Sequence, residues 1–270
     1  MSGATMRRMN LDDVGRGLEL CRAAGWNQTE RDWRYFVEES RAGCLVEERN
    51  GRVVGTSATL DYGDEFSWIA MVLVDPVCRG QGVGTRLLEA SIELLAGRKS
   101  IRLDATAAGE RVYRPLGFKE EFALARYERP AGAIESAGCA AIGEGDWDRV
   151  LALDREAFGA ERERMLRWLA EGAPELAMVN GDGYCFGRRG YRFDQVGPIV
   201  ARSEAAAEEM LRAALARCAR EVVVDAPVEH EPMLAKLGFR KQRPFLRMSL
   251  GEAPAFDASL NFGITGPEFA

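Results

Sequence analysis

The sequence is poor in the groups that carry most metal and triad chemistry. It has a single histidine, His230, among 270 residues. A mechanism that uses histidine in two roles is therefore excluded, and Ser-His-Asp chemistry has little support. The six cysteines (Cys21, Cys44, Cys78, Cys139, Cys185 and Cys218) are scattered, with no C-x-x-C pair and no histidine at ligand spacing. They read as reduced, mostly core thiols, and no metal is expected. No apolar run approaches the ~18–20 residues of a membrane span. The N-terminal stretch turns polar before a signal-peptide core could form. Positive charge is also in deficit: 36 Lys and Arg against 42 Asp and Glu leave a net charge of −6. Broad nucleic-acid binding, which needs a basic surface, is excluded, although a local basic groove around an anion is not. The expectation is a cytoplasmic protein, monomer or homodimer, with no nucleic-acid and no membrane partner.

What is present is an ordinary globular mixture, 47% hydrophobic and 29% charged. At roughly 100–200 residues per domain the length suits two modest domains or one large one. An internal repeat favours two. The segment from Asp104 to Phe118 aligns without a gap to the segment from Asp225 to Phe239, at an offset of 121 residues. Asp, Ala, Glu and the final Leu-Gly-Phe coincide. Each segment follows a short β-like run (100–103 and 221–224), and each run follows a helical stretch (85–96 and 204–219). The chain thus divides into a first α/β unit at 1–130, a linker at 131–138, a second unit at 139–250 and a tail at 251–270. The tail is rich in Gly, Pro and Ala but carries Phe256, Leu260, Phe262 and Phe269, so it is either disordered in part or docked by its aromatics.

In the first unit, periodicity predicts helices at 12–24 and 27–40, the second with Asn27 as N-cap and Glu30 completing a capping box. Strands are predicted at 44–48 and 52–62, joined by an Asn50-Gly51 hairpin turn. A third strand at 66–74 has an apolar run from Trp68 to Val74, as expected of a strand buried on both faces. A glycine loop, a helix, the 100–103 strand, a short helix at 111–114 and a closing strand at 122–127 follow. In the second unit, the helix at 154–169 sets Arg155, Arg162, Arg164 and Arg167 against Glu156, Glu161 and Glu163, which reads as a solvated, salt-bridged face.

The segment that carries chemistry runs Val72-Leu73-Val74-Asp75-Pro76-Val77-Cys78-Arg79-Gly80-Gln81-Gly82-Val83-Gly84-Thr85. It is a buried strand, a proline stop and a glycine loop opening a helix. Glycines admit close backbone approach and positive φ. Free N–H groups and the dipole at a helix start attract an anion, and Arg79 adds charge. No Lys-Ser/Thr follows the last glycine, so this is not a P-loop. The spacing G-x-G-x-G is not the Rossmann G-x-G-x-x-G. A purely structural turn is the remaining bland alternative.

The pattern V-x-P-x-x-R-G-x-G-x-G after a buried strand resembles the acyl-CoA signature of the GNAT acetyltransferases. Tyr113-Arg114-Pro115-Leu116-Gly117-Phe118 is similar to that family's Y-x-x-L-G-F element. Gly25 to Trp33, Phe158 to Arg162 and Gly197 to Ala201 resemble the two-domain GNAT proteins with a YitH-type C-terminal domain. The resemblance is specific in the first half and looser in the second. It implies an α/β (α+β) fold of two tandem GNAT-like domains, each a mixed, mainly antiparallel sheet flanked by helices.

The resemblance also implies an N-acyltransferase that moves an acetyl group from acetyl-CoA to a primary amine by direct attack through a tetrahedral intermediate. Backbone groups of Val72, Leu73 and Val74 would bind the pantetheine arm. Arg79 and the main chain of Gly80, Gln81, Gly82, Val83, Gly84 and Thr85 would hold the pyrophosphate. Tyr113 would protonate the departing thiolate, and an N–H near Leu73 would hold the oxyanion. Relatives carry Asn where this chain has Thr106, whose hydroxyl can still bond the pantetheine. The base is expected near the start of the buried strand, where Asp64 and Glu65 stand. Glu65 is the candidate, against the alternative that both are solvated hairpin carboxylates. Trp26, Asn27, Gln28 and Trp33 are candidates for the acceptor wall, with packing and helix capping as the alternatives. His230 is expected at the surface or between domains.

The second unit lacks the glycine loop, reading Val200-Ala201-Arg202-Ser203-Glu204 instead, and has Leu234 at the Tyr113 position. It is expected to keep the fold, to have lost acyl-CoA binding and to cover the acceptor pocket. A small-molecule amine acceptor follows. The alternatives are a protein lysine or N-terminus as acceptor, or a non-catalytic acyl-CoA-binding regulatory module.

Overall fold

A computed structural model describes residues 3–135, 138–252 and 255–270. Ser136 and Ala137 of the expected linker and Ala253 and Pro254 of the expected tail lie outside the described residues. The first half runs β1 (Ala4–Arg8), α1 (Val14–Ala23), α2 (Glu30–Glu39), β2 (Leu45–Arg49), β3 (Arg52–Tyr62), β4 (Phe66–Val74), α3 (Val83–Leu94), β5 (Ser100–Ala105), α4 (Ala107–Tyr113) and β6 (Lys119–Arg129). The second half runs β7 (Ala140–Ala141), α5 (Trp147–Phe158), α6 (Glu163–Gly172), β8 (Met178–Val179), β9 (Gly183–Arg189), β10 (Asp194–Ala201), α7 (Glu204–Leu215), β11 (Val222–Pro227), α8 (Glu231–Lys236) and β12 (Arg240–Gly251). A last short strand, β13 (Asn261–Gly263), follows.

All these strands join one sheet in the order β1-β2-β3-β4-β5-β12-β6-β11-β10-β9-β8-β7, with β13 added beside β10. The closing strand of each half is exchanged. β12 pairs antiparallel with β5, Leu246 opposite Ala105. β6 pairs antiparallel with β11, Leu124 opposite Pro227. β6 and β12 also pair with each other, so the two halves share one ladder at the centre. One apolar cluster spans both halves, from Trp33, Phe36, Tyr62 and Trp68 to Phe158, Leu166, Tyr184 and Phe186. With the sheet continuous and the core shared, neither half buries its apolar face alone.

Local sequence explains most elements. The Asn50-Gly51 turn has both residues in the left-handed region, φ 53° and 71°, as a two-residue hairpin needs. β4 is buried along most of its length, in keeping with its unbroken apolar run. The predicted helix at 27–40 starts three residues later than expected. Thr29, not Asn27, is the N-cap, forming a capping box with Asp32, whose carboxylate accepts the Thr29 N–H at 2.5 Å. The predicted helix at 154–169 is two helices, broken around Gly159, which takes φ 84°. Arg162 is not on a solvated face. It is buried with Nη2 2.8 Å from Asp154 and donates to Thr265 and to the Ala270 carbonyl.

The described tail is docked. Phe269 is fully buried and stacks on Phe36 at 4.7 Å between ring centroids. Its carbonyl accepts a bond from the Tyr62 hydroxyl, and the Pro267 carbonyl one from the Trp68 indole at 3.1 Å. His230 is buried rather than at the surface, its ring against Phe262 at 4.4 Å.

Candidate functional site

β4 and β5 are parallel neighbours only at Ser67–Ile101 and Trp68–Arg102. Beyond that point they splay, as β4 kinks. Met71 takes φ 52°, the β3 register shifts between Thr56 and Ala58, and the Thr56 hydroxyl holds the Met71 carbonyl at 2.8 Å. A bulge of this kind re-aims the backbone that follows it. A cavity of about 870 Å³ opens at the splay. Met71 to Val74 line one side, Asp104, Thr106 and Tyr113 the other, and the glycine loop its end.

The loop is built for an anion. Asp75 accepts from the Val77 N–H at 3.1 Å and pairs with Arg16 and Arg52, fixing the strand exit. Gly80 and Gly82 take φ 74° and 75°, where a side chain would be strained. Gly82 is the N-cap of α3 and has no side chain to cap it. The first intrahelical bond is Arg86 N–H to the Gly82 carbonyl, so the amides of Val83, Gly84 and Thr85 have no helical acceptor. Arg79 lines the same end, exposed.

On the opposite wall, Thr106 is the N-cap of α4, its hydroxyl accepting the Gly109 N–H at 3.2 Å. Tyr113 closes α4, half-buried, and its ring lies over Gly109 so closely that a Cβ there would come within 2.7 Å of it. Burial pushes the Tyr113 phenol up to about 12, so it is protonated at neutral pH.

Of the residues singled out from sequence, Trp26, Asn27, Gln28, Val72, Leu73, Val74, Arg79, Gly80, Gly82, Val83, Gly84, Thr85, Thr106 and Tyr113 all line the cavity. Gln81 sits at the loop tip, its amide donating to the Val77 carbonyl at 3.1 Å, and is not part of the wall. Glu65 is not brought there either. It lies at the β3–β4 hairpin, half-exposed, 3.7 Å from Lys99, and Asp64 is in the same turn. The hairpin marks the start of β4, and the splay lies at its far end. Trp33 is fully buried core, edge-on to Phe36. Asn27 is both wall and clamp. Its side chain accepts from the Arg192 and Phe193 amides at 2.7 and 3.2 Å and donates to the Phe193 carbonyl at 3.1 Å, tying α2 to the second half.

The cavity has further walls from the exchanged strands and the tail: Arg126, Arg243, Phe245, Pro267 and Glu268. The Asp104 side chain is buried, receives two bonds from Arg247 at 2.8 and 2.9 Å, and is still pushed above the usual carboxylate range by burial. Glu268 pairs with Arg188 and accepts from Gln28 at 2.8 Å. Burial alone would raise its carboxyl, but Arg188, Arg126 and Gln28 together hold it low. The signal for the arginines was present in the repeat: Arg126 and Arg247 are also 121 positions apart. Nothing local marks Glu268, which reaches the site only because the tail docks.

The corresponding place in the second half is closed. Ser203 caps α7 with its side chain, and Glu204 stands in the first turn. The gap between β10 and β11 holds β13, paired with β10 at Ile199–Gly263 and bridged to β11 at Asp225–Ile264. Among the described residues no cluster of three or more His, Cys, Asp or Glu could hold a metal, and no helix is long and apolar enough to cross a membrane.

Comparison with known proteins agrees with this anatomy. Residues 16–118 match the model described as the acetyltransferase (GNAT) family, and residues 150–263 the acetyltransferase (GNAT) domain. The chain is similar to the uncharacterized N-acetyltransferase YitH of Bacillus subtilis, 26% identical over 250 residues and covering 87% of each chain. It is similar to the holothin acyltransferase of a Pseudoalteromonas species, 26% identical over 249 residues, 86% of this chain and 83% of the other. Among solved structures, a candidate acetyltransferase from Pyrococcus horikoshii superposes with a TM-score of 0.85 at 23% identity, covering 99% of this chain and 96% of that one. That last likeness speaks to the fold. With a GNAT model matching in each half and named acyltransferases aligning along most of its length, this chain belongs to the GNAT family and is an N-acetyltransferase with two GNAT domains in tandem.

Proposed function

We propose that the protein transfers the acetyl group of acetyl-CoA to the primary amine of a small molecule, at one site, in the first half. The observation that carries this reading is the single cavity that joins the uncapped glycine loop, the β4–β5 splay and Tyr113. In it, the amides of Gly82 to Thr85, with Arg79, bind the pyrophosphate. The pantetheine arm adds to the edge of β4 at Val72 to Val74, with the Thr106 hydroxyl in reach from across the gap.

The chemistry is acyl transfer. The amine nitrogen attacks the thioester carbonyl, the C–N bond forms, and an N–H near Leu73 holds the oxyanion of the tetrahedral intermediate. The C–S bond then breaks. Of the two protons the ammonium loses, one reaches the CoA thiolate through Tyr113. Burial keeps the Tyr113 phenol protonated at neutral pH, so it holds a proton to give as negative charge builds on the departing sulfur. The other leaves to solvent as the ammonium is freed for attack. Glu268, held low by Arg188, positions rather than accepts.

A small acceptor is supported by enclosure. Arg126 of β6, Arg243 and Phe245 of β12 and Pro267 and Glu268 of the tail add walls to the cavity that a single GNAT half would not have. The test is CoA release by purified protein with acetyl-CoA and a panel of amines and lysine peptides. Turnover confined to small amines supports the reading. Turnover on peptides alone overturns the acceptor class, and absence of acetyl-CoA binding overturns the whole.

A further inference from the structure

Four arginines gather behind the splay, and three are neutralised. Arg126 makes two bonds to Asp225 at 2.8 and 2.7 Å, Arg188 reaches Asp32 at 3.0 Å and also Glu268, and Arg247 is held by Asp104. Arg243 is not. Among the described residues it has no carboxylate partner and no hydrogen bond, and its Nε is buried without an acceptor. A half-buried guanidinium beside Arg126, with Asp225 and Glu268 near but bonded to other groups, keeps unused donors that a ligand anion would satisfy. Burial first, and Arg126 second, lower its pKa to about 10, yet it stays charged at neutral pH. The group is not loose, since its carbon lies 4.9 Å from the Phe245 ring centroid and β12 sets it opposite Arg126.

Its face of the sheet assigns it to the acceptor. Along β12, Arg243, Phe245 and Arg247 alternate with Pro244, Leu246 and Met248. Leu246 and Met248 pack with Leu88, Val112 and Tyr113 on the side of α3 and α4. Arg243 is therefore on the other side, where Phe245 packs with Ile264 and where Pro267 and Glu268 complete the cavity. The pyrophosphate amides belong to α3, across the sheet.

We propose that Arg243 receives a carboxylate of the acceptor, so that the substrate is an amino acid or a related amino carboxylate rather than a simple amine or an amino sugar. The inference rests on the transferase reading above and adds the acceptor's second functional group. The amine is then directed to the thioester at the splay while the acid is held at the β6–β12 ladder.

The test uses full-length protein with acetyl-CoA and matched sets: the common L-amino acids, β-alanine and 4-aminobutyrate, each beside its carboxamide and its decarboxylated amine. Steady-state KM and kcat are measured for the wild type, Arg243→Gln and Arg243→Lys. Calorimetric binding of the same acids to the CoA-bound protein is measured alongside. The wild type should prefer one or more acids over their amides. Arg243→Gln should lower kcat/KM for the acid roughly 100-fold, mainly through KM, and bring the acid-to-amide ratio near one, with Lys restoring part of it. A structural role for Arg243 would depress acid and amide alike, and that result overturns the inference. So does a wild type that uses amides or decarboxylated amines as well as acids. So does protein that binds acetyl-CoA but neither turns over nor binds any acid. Failure to bind acetyl-CoA defeats the transferase reading itself, and the inference falls with it.

Discussion

Asp104 and Arg247, 143 positions apart, share two hydrogen bonds of 2.8 and 2.9 Å at the heart of the sheet. The pair has a twin in Asp225 and Arg126. Asp104 and Asp225 are equivalent in the repeat, and so are Arg126 and Arg247, at the same offset of 121 residues. Each aspartate thus takes the arginine of the other copy, because the strands that carry the arginines are exchanged. The candidate active site is consequently a joint product. The first half supplies the glycine loop, β4 and Tyr113, while β12 and the tail supply Arg243, Phe245, Pro267 and Glu268.

Tyr113→Phe should lower kcat by about 10²- to 10³-fold with acetyl-CoA affinity kept, since it removes a proton donor and little else. With its phenol at about 12, Tyr113 should contribute no ionisation to the rate profile between pH 7 and 10. Gly109→Ala should reproduce part of the loss from a distance. The added methyl would come within 2.7 Å of the Tyr113 ring and 3.0 Å of its hydroxyl. Alanine favours a helix over glycine by roughly 1 kcal/mol, so melting temperature should hold while kcat falls. Steady-state kinetics and a thermal melt together check both.

Calorimetric titration with acetyl-CoA should saturate at one molecule per chain. β13 lies in the second gap, and Ser203 already caps the helix that would face a second pyrophosphate. Two equivalents bound would mean that the tail leaves its place.

Glu268 should make the protein acid-sensitive. Its native carboxyl is held below the unfolded value of roughly 4.3, so the stability it lends is complete above that pH and is lost as pH falls through the native pKa. The wild-type melting temperature should therefore drop on going from pH 7 to below 4. Glu268→Gln should be less stable at pH 7 by about 3 kcal/mol, because Arg188 loses part of its counter-charge in a buried setting. It should then lose less over the same acid interval, having no proton to gain there.

Phe269→Ala should cost about 3–5 kcal/mol, measured by denaturant unfolding, although the residue lies in the tail. The ring is fully buried and stacked on Phe36, with Tyr35 and Trp168 around it. A neutral result would mean that the tail is only loosely held.

The sequence by itself determined the glycine-loop side of the cavity. The buried run of β4, the glycine loop, the uncapped start of α3 and Tyr113 are contiguous or nearly so, and their chemistry follows from local geometry: positive φ at Gly80 and Gly82, free amides, a helix end. The repeat was legible for the same reason, as a pattern within the chain. Local signals also misled at their margins, placing the cap of α2 at Asn27, and Glu65 at the wrong end of a strand whose useful end is the splay. The opposite side of the cavity was decided only by tertiary structure. Arg243, Asp104 and Glu268 line one cavity because closing strands cross between halves and because the tail docks against both. No local propensity encodes that exchange. It arises from burying two incomplete apolar faces in one continuous sheet, an arrangement that depends on contacts more than a hundred residues apart.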